Sequence, residues 1–70
     1  MRNKFAERLK ELRIEAGLTQ AQLSKAVNNQ VTASAIGLWE LNKRVPNIES
    51  AMILAEYFGV SLDYLAGLED

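Results

Sequence analysis

Apolar residues recur along this chain in short bursts of helical period, each closed by glycine, asparagine or proline. Phe5, Leu9 and Leu12 lie four and three residues apart with Lys, Arg and Glu between them, the spacing of one apolar helix face. That burst predicts a helix over about 2–16, and Gly17 beyond it is read as a left-handed C-terminal cap. Thr19, Gln20, Ala21 and Gln22 then have the form of a capping box. The Thr19 hydroxyl accepts from the amide three residues on, and the Gln22 side chain reaches back. This opens a second helix over about 20–27, with Leu23, Ala26 and Val27 apolar.

Asn28, Asn29 and Gln30 interrupt the pattern, because Asn competes for backbone hydrogen bonds and tolerates left-handed geometry. Val31 is read as buried and Thr32 as the N-cap of a third helix over about 33–41, which carries Ile36 and Trp39. A loop follows through Asn42, Lys43, Arg44, Val45 and Pro46. Asn47 caps a fourth helix over about 48–58, whose inner face is expected to hold Ile48, Ala51, Met52, Ala55 and Phe58. Gly59 ends it, Ser61 caps a fifth over about 62–66, and Gly67 stops that one. With one proline and no alternating β-branched run, strands are not expected. The expected fold is all-α: one domain over residues 1–70, a compact five-helix bundle containing a helix-turn-helix.

Composition narrows the chemistry. The chain has no cysteine and no histidine. Disulfides, zinc fingers and Ser-His or Cys-His catalysis are therefore excluded, and no metal, cofactor or enzymatic activity is expected. Glu and Asp are present without a clustered, activated pair. No apolar run approaches the ~20 residues needed to cross a bilayer, and the N-terminus lacks a signal-peptide pattern, so a cytoplasmic protein without membrane attachment is expected.

The net charge of −1 conceals a division. Residues 1–44 hold all eight Lys and Arg against four acids, a net of +4, whereas residues 45–70 hold five acids and no base, a net of −5. Such asymmetry fits a basic face with an acidic end pointing away from it, as well as chance distribution over solvated helix faces.

From Phe5 to about Leu65 the sequence resembles the repressor/Cro family of helix-turn-helix domains, also called lambda-repressor-like or xenobiotic-response-element type. The matching residues are Leu9, Lys10, Glu11, Leu12 and Arg13; Gly17, Leu18, Thr19 and Gln20 with Leu23; and Ile36 with Trp39 and Glu40. After them come Asn42, Lys43 and Arg44 with Pro46, then Gly59, Val60, Ser61, Leu62, Asp63, Tyr64 and Leu65.

The resemblance implies a sequence-specific regulator of transcription, a repressor, whose third helix enters the major groove of double-stranded DNA. It assigns Gln20, beside Thr19 at the start of the second helix, to a backbone phosphate. It gives Thr32, Ala33, Ser34, Gly37 and Leu38 to the reading face, and Lys43 and Arg44 to phosphate contact. It also implies an ion pair between Arg13 and Glu40 that sets the angle of the third helix. Homodimers on palindromic sites are the family habit, and Ile53, Tyr57, Tyr64 and Leu68 are the apolar or aromatic positions expected to face outward for that purpose.

Two features depart from the family. The turn at Asn28, Asn29 and Gln30 is about two residues longer than usual, which brings Gln30 into the set of expected DNA contacts. The reading face offers Ala33, Ser34, Gly37 and Leu38, none capable of bidentate base readout, so methyl contacts, DNA shape and half-site spacing must contribute to specificity. Gly37 costs a helix interior up to ~1 kcal/mol relative to Ala; close approach of DNA or of another helix would explain it. Trp39 could stack on a base, but its spacing from Ile36 points it inward. The alternative function is a protein-interaction module, or an antitoxin-like partner subunit, that keeps the fold with weak DNA readout.

Overall fold

A computed structural model describes residues 4–68, and within them five helices: α1 (Phe5–Glu15), α2 (Gln20–Ala26), α3 (Ala33–Glu40), α4 (Ile48–Phe58) and α5 (Leu62–Ala66). The expected start of the first helix at residue 2 lies outside the described residues. The first three helices each stop a residue earlier than the periodicity suggests, at C-caps Ala16, Val27 and Leu41. In each case the next residue is left-handed: Gly17 at φ 72°, Asn28 at φ 58° and Asn42 at φ 59°. That reversal withdraws the cap residue from the helical ladder.

Side-chain chemistry sets the helix ends. Thr19, Thr32, Asn47 and Ser61 each accept a hydrogen bond from the amide three residues on, at 2.8–3.0 Å. The Thr19 amide in turn donates to Gln22 Oε1 at 2.8 Å, which completes the capping box. At the C-terminal ends the amides of Leu18, Asn29, Lys43, Val60 and Leu68 each donate to the carbonyl five residues back. This six-to-one bond is the Schellman closure, and all five helices have it.

Five side chains are essentially sealed from solvent, and each helix supplies one: Leu9, Leu23, Ile36, Leu54 and Leu65. Phe5, Val27, Val31, Trp39 and Ala55 complete the buried core. Trp39 is an interior residue, its ring meeting Phe5 edge-on at 6.1 Å between centroids.

The inner face of α4 is only partly the one expected: Ala55 is buried and Ala51 and Phe58 are half-buried, but Ile48 and Met52 turn outward. Ile48 and Met52 are 66% and 57% exposed, and Leu54 occupies the centre. Two overlapping stripes exist on this helix, one through positions 48, 52 and 55 and one through 51, 54, 55 and 58. At 100° per residue they differ by rotation about the axis, and the second is the one turned inward. Of the apolar residues of α2, Leu23 is buried and Ala26 is exposed.

Candidate nucleic-acid interface

The connection between α2 and α3 fixes how the two helices cross. Asn28 and Asn29 are both left-handed, at φ 58° and 59°, a conformation that Asn adopts more readily than other non-glycine residues. Beneath them the buried hydroxyl of Ser24 donates to the Val31 carbonyl at 2.7 Å, with the Asn29 side-chain oxygen 3.3 Å away. The bond ties the end of the turn to the middle of α2 and lets Val31 seal the core. Nothing in the periodicity marks Ser24 for this role; the paired asparagines are the signal that the chain must reverse there.

A second set of contacts spans α1, α2 and α3. Arg13 Nε donates to Glu40 Oε2 at 2.7 Å and Nη2 to Oε1 at 2.9 Å, a two-pronged grip, while Nη1 donates to the Leu18 carbonyl at 2.8 Å. Both side chains are largely buried, 13% and 4% exposed. The hydrogen bond to Glu40 raises the Arg13 pKa above its ordinary value; burial opposes this, and coulombic attraction to the carboxylate adds to it.

The same carboxylate holds a third group. Gln20 Nε2 donates to Glu40 Oε1 at 3.1 Å. To reach it, the Gln20 side chain crosses α3 at Gly37, where a Cβ would stand 3.3 Å from Gln20 Oε1 and 3.7 Å from Nε2. Gly37 is therefore explained by the approach of a neighbouring helix's side chain.

The remaining expected site residues distribute as follows. Thr32 caps α3 and is exposed, as are Ser34 and Leu38; Ala33 and Gly37 are half-buried. Ser34, Leu38 and Leu41 form an outward stripe at i, i+4 and i+7, with Leu41 68% exposed. Leu41 was not singled out in the sequence, where it reads as the helix's last apolar residue. Thr19 and Gln30 are exposed on either side of α2. Lys43 and Arg44 are exposed immediately beyond α3, and the Lys43 amide closes that helix on the Leu38 carbonyl at 2.9 Å, so the basic loop is anchored to the reading stripe's own backbone.

Among the residues expected at a dimer surface, Tyr57 and Leu68 are 42% and 58% exposed. Ile53 packs against the core. Tyr64 is half-buried: the Arg8 guanidinium lies over its ring, 4.2 Å from the centroid, and also donates to its carbonyl.

A family model described as Helix-turn-helix matches residues 9–65. The chain belongs to the Cro/repressor-type helix-turn-helix family. It is 38% identical over 66 residues to the HTH-type transcriptional activator BcrR of Enterococcus faecalis, covering 94% of this chain and 31% of that protein. It is 33% identical over 66 residues to the HTH-type transcriptional regulator YobD of Bacillus subtilis (strain 168), covering 94% of this chain and 57% of that protein. This helix-turn-helix domain thus spans about a third and rather more than half the length of these two relatives. No solved structure matches it significantly. The family is one of DNA-binding transcriptional regulators, and no helix among the described residues is long and apolar enough to cross a membrane.

Proposed function

We propose that this domain binds a specific double-stranded DNA site, with α3 in the major groove, and regulates transcription from it in the cytoplasm. The observation that carries the reading is the joining of α2, α3 and the basic loop into one surface. Gln20 of α2 lies across α3 at Gly37, and Lys43 is closed onto α3 at Leu38. Thr32, Ala33, Ser34, Gly37 and Leu38, with Leu41 added, are the groove-facing set. Thr19 and Gln20, at the positive end of the α2 dipole, meet a phosphate on one side of the groove, and Lys43 and Arg44 meet phosphates on the other.

Base reading is apolar and shape-based. Leu38 and Ala33 suit thymine methyl groups, and Ser34 can donate or accept at a base edge. Gln30, exposed on the long turn, adds a polar contact near the start of α3. Occupancy of a promoter by such a domain blocks access, which makes repression the first expectation; a relative is named as an activator, so the reporter assay below is read for either sign.

We also propose a homodimer on a palindromic site, with reading helices about 34 Å apart. Exposed Tyr57 and Leu68, together with the outward Ile48 and Met52, supply apolar surface for it. The test is selection of bound duplexes from a random pool, followed by a reporter carrying the recovered site. Recovery of a palindrome with half-sites one helical turn apart supports the reading. Recovery of no enriched sequence, with salt-insensitive binding, favours a protein-interaction role for the fold.

A further inference from the structure

We propose that Glu40 and Gly37 are positioning residues for the DNA contact of Gln20. This rests on the DNA-binding reading above and goes beyond it: Glu40 is no DNA contact there, and Gly37, placed at the groove, acts here through Gln20. A glutamine side chain on a helix surface is ordinarily free to sample several rotamers, and ordering it costs part of whatever contact it makes. Here that cost is met before DNA arrives. One Nε2 proton is held by Glu40 Oε1 at 3.1 Å, and Glu40 is itself locked by the two-pronged grip of Arg13. The carboxamide has a second N–H left for a phosphate oxygen.

The arrangement needs an empty position beneath it, which is what Gly37 supplies. A Cβ there would sit 3.3 Å from Gln20 Oε1, tighter than ordinary van der Waals contact, and any longer side chain would occupy the path the glutamine takes to Glu40. The glycine carries its helix-interior penalty while doing so. Replacing it should therefore weaken DNA binding through Gln20, an effect that a purely structural glycine does not give.

The direct variant, Glu40→Ala, also removes the partner of Arg13 and unsettles the fold, so the test rests on Gly37. Gly37→Ala, Gly37→Leu, Gln20→Ala and the double variant Gly37→Leu with Gln20→Ala are compared for affinity to a selected duplex, for salt dependence and for thermal midpoint. The expected result is that Gln20→Ala and Gly37→Leu each weaken binding roughly 3- to 10-fold, the range of one lost hydrogen bond. The double variant is no weaker than either single one. Gly37→Ala weakens binding less than Gly37→Leu, and the salt slope stays at the unsubstituted value, because a neutral amide releases no counterion. A loss on Gly37→Leu that persists undiminished beside Gln20→Ala marks direct obstruction of DNA and overturns the proposal. Full affinity in Gly37→Leu also overturns it. Absence of salt-dependent binding by the unsubstituted protein removes the functional reading and this inference together.

Discussion

Arg13 and Glu40 meet as a parallel fork, Nε to Oε2 at 2.7 Å and Nη2 to Oε1 at 2.9 Å, and the pair bolts α1 to the end of α3. Removing one partner leaves the other charge buried, at a cost of about 3–5 kcal/mol. A domain of this length has a total stability on the order of 4–10 kcal/mol. Glu40→Ala is therefore expected to lose a large share of it in urea unfolding. A change under about 1 kcal/mol would place the pair with ordinary surface ion pairs.

The pH dependence of that pair follows from the sign of the Arg13 shift. Its pKa is raised in the folded state, chiefly by the Glu40 hydrogen bond, so its contribution is fully present below the ordinary arginine value and is lost only as pH rises beyond it. With no histidine in the chain, no side chain of that type titrates between pH 6 and 8 either. The urea midpoint is expected to be flat across that interval. A midpoint falling steadily from pH 6 to pH 8 would show that another group, such as the α-amino group, controls stability there.

The two apolar stripes on α4 give a paired test of the packing. Leu54→Ala opens a cavity at a sealed position and is expected to cost about 2–5 kcal/mol. Met52→Ala, at a position 57% exposed, is expected to change stability by no more than about 0.5 kcal/mol. The reverse ranking would place Met52 in the core and Leu54 outside it.

That helix shows where sequence reading ends. Thr19, Thr32, Asn47 and Ser61 were legible as caps because each acts within three residues of itself, and Gly17, Gly59 and Gly67 because each acts on its own backbone. Trp39 was legible as an interior residue from its spacing. On α4 the inward placing of Ala51, Ala55 and Phe58 was legible, but the turning of Leu54 inward in place of Ile48 and Met52 was not, since it depends on what α4 packs against. Nor was the meeting of Gln20, Gly37 and Glu40: positions 20 and 37 sit on different helices, and only the crossing of α2 over α3 brings them together. Glycine at position 37 was a visible oddity whose cause lay in that crossing.

The turn offers a conformational test. Asn28 at φ 58° tolerates glycine, whereas a β-branched residue pays the left-handed penalty, so Asn28→Val is expected to cost about 1–2 kcal/mol and Asn28→Gly far less. Ser24→Ala strands the Val31 carbonyl in the interior and is expected to cost about 1–3 kcal/mol. Denaturant midpoints of the three variants check both statements, and an inert Asn28→Val would show that the turn relaxes out of the left-handed region.

Lys43 and Arg44 are expected to act through charge. Each one replaced by Ala should reduce the slope of log affinity against log salt by about 0.9 and weaken binding to all sequences alike. Ser34→Ala and Leu38→Ala should leave the slope intact and relax preference at individual base pairs instead. Fluorescence anisotropy at several salt concentrations, with cognate and scrambled duplexes, separates the two behaviours.

The groove position of α3 is tested most directly by titrating isotope-labelled protein with a selected duplex and following backbone and side-chain resonances by NMR. The account predicts intermolecular contacts at Thr32, Ser34 and Leu38, and large shifts of the Gln20 carboxamide and the Lys43 amide. Shifts confined to α4, with α3 and Gln20 silent, would contradict it.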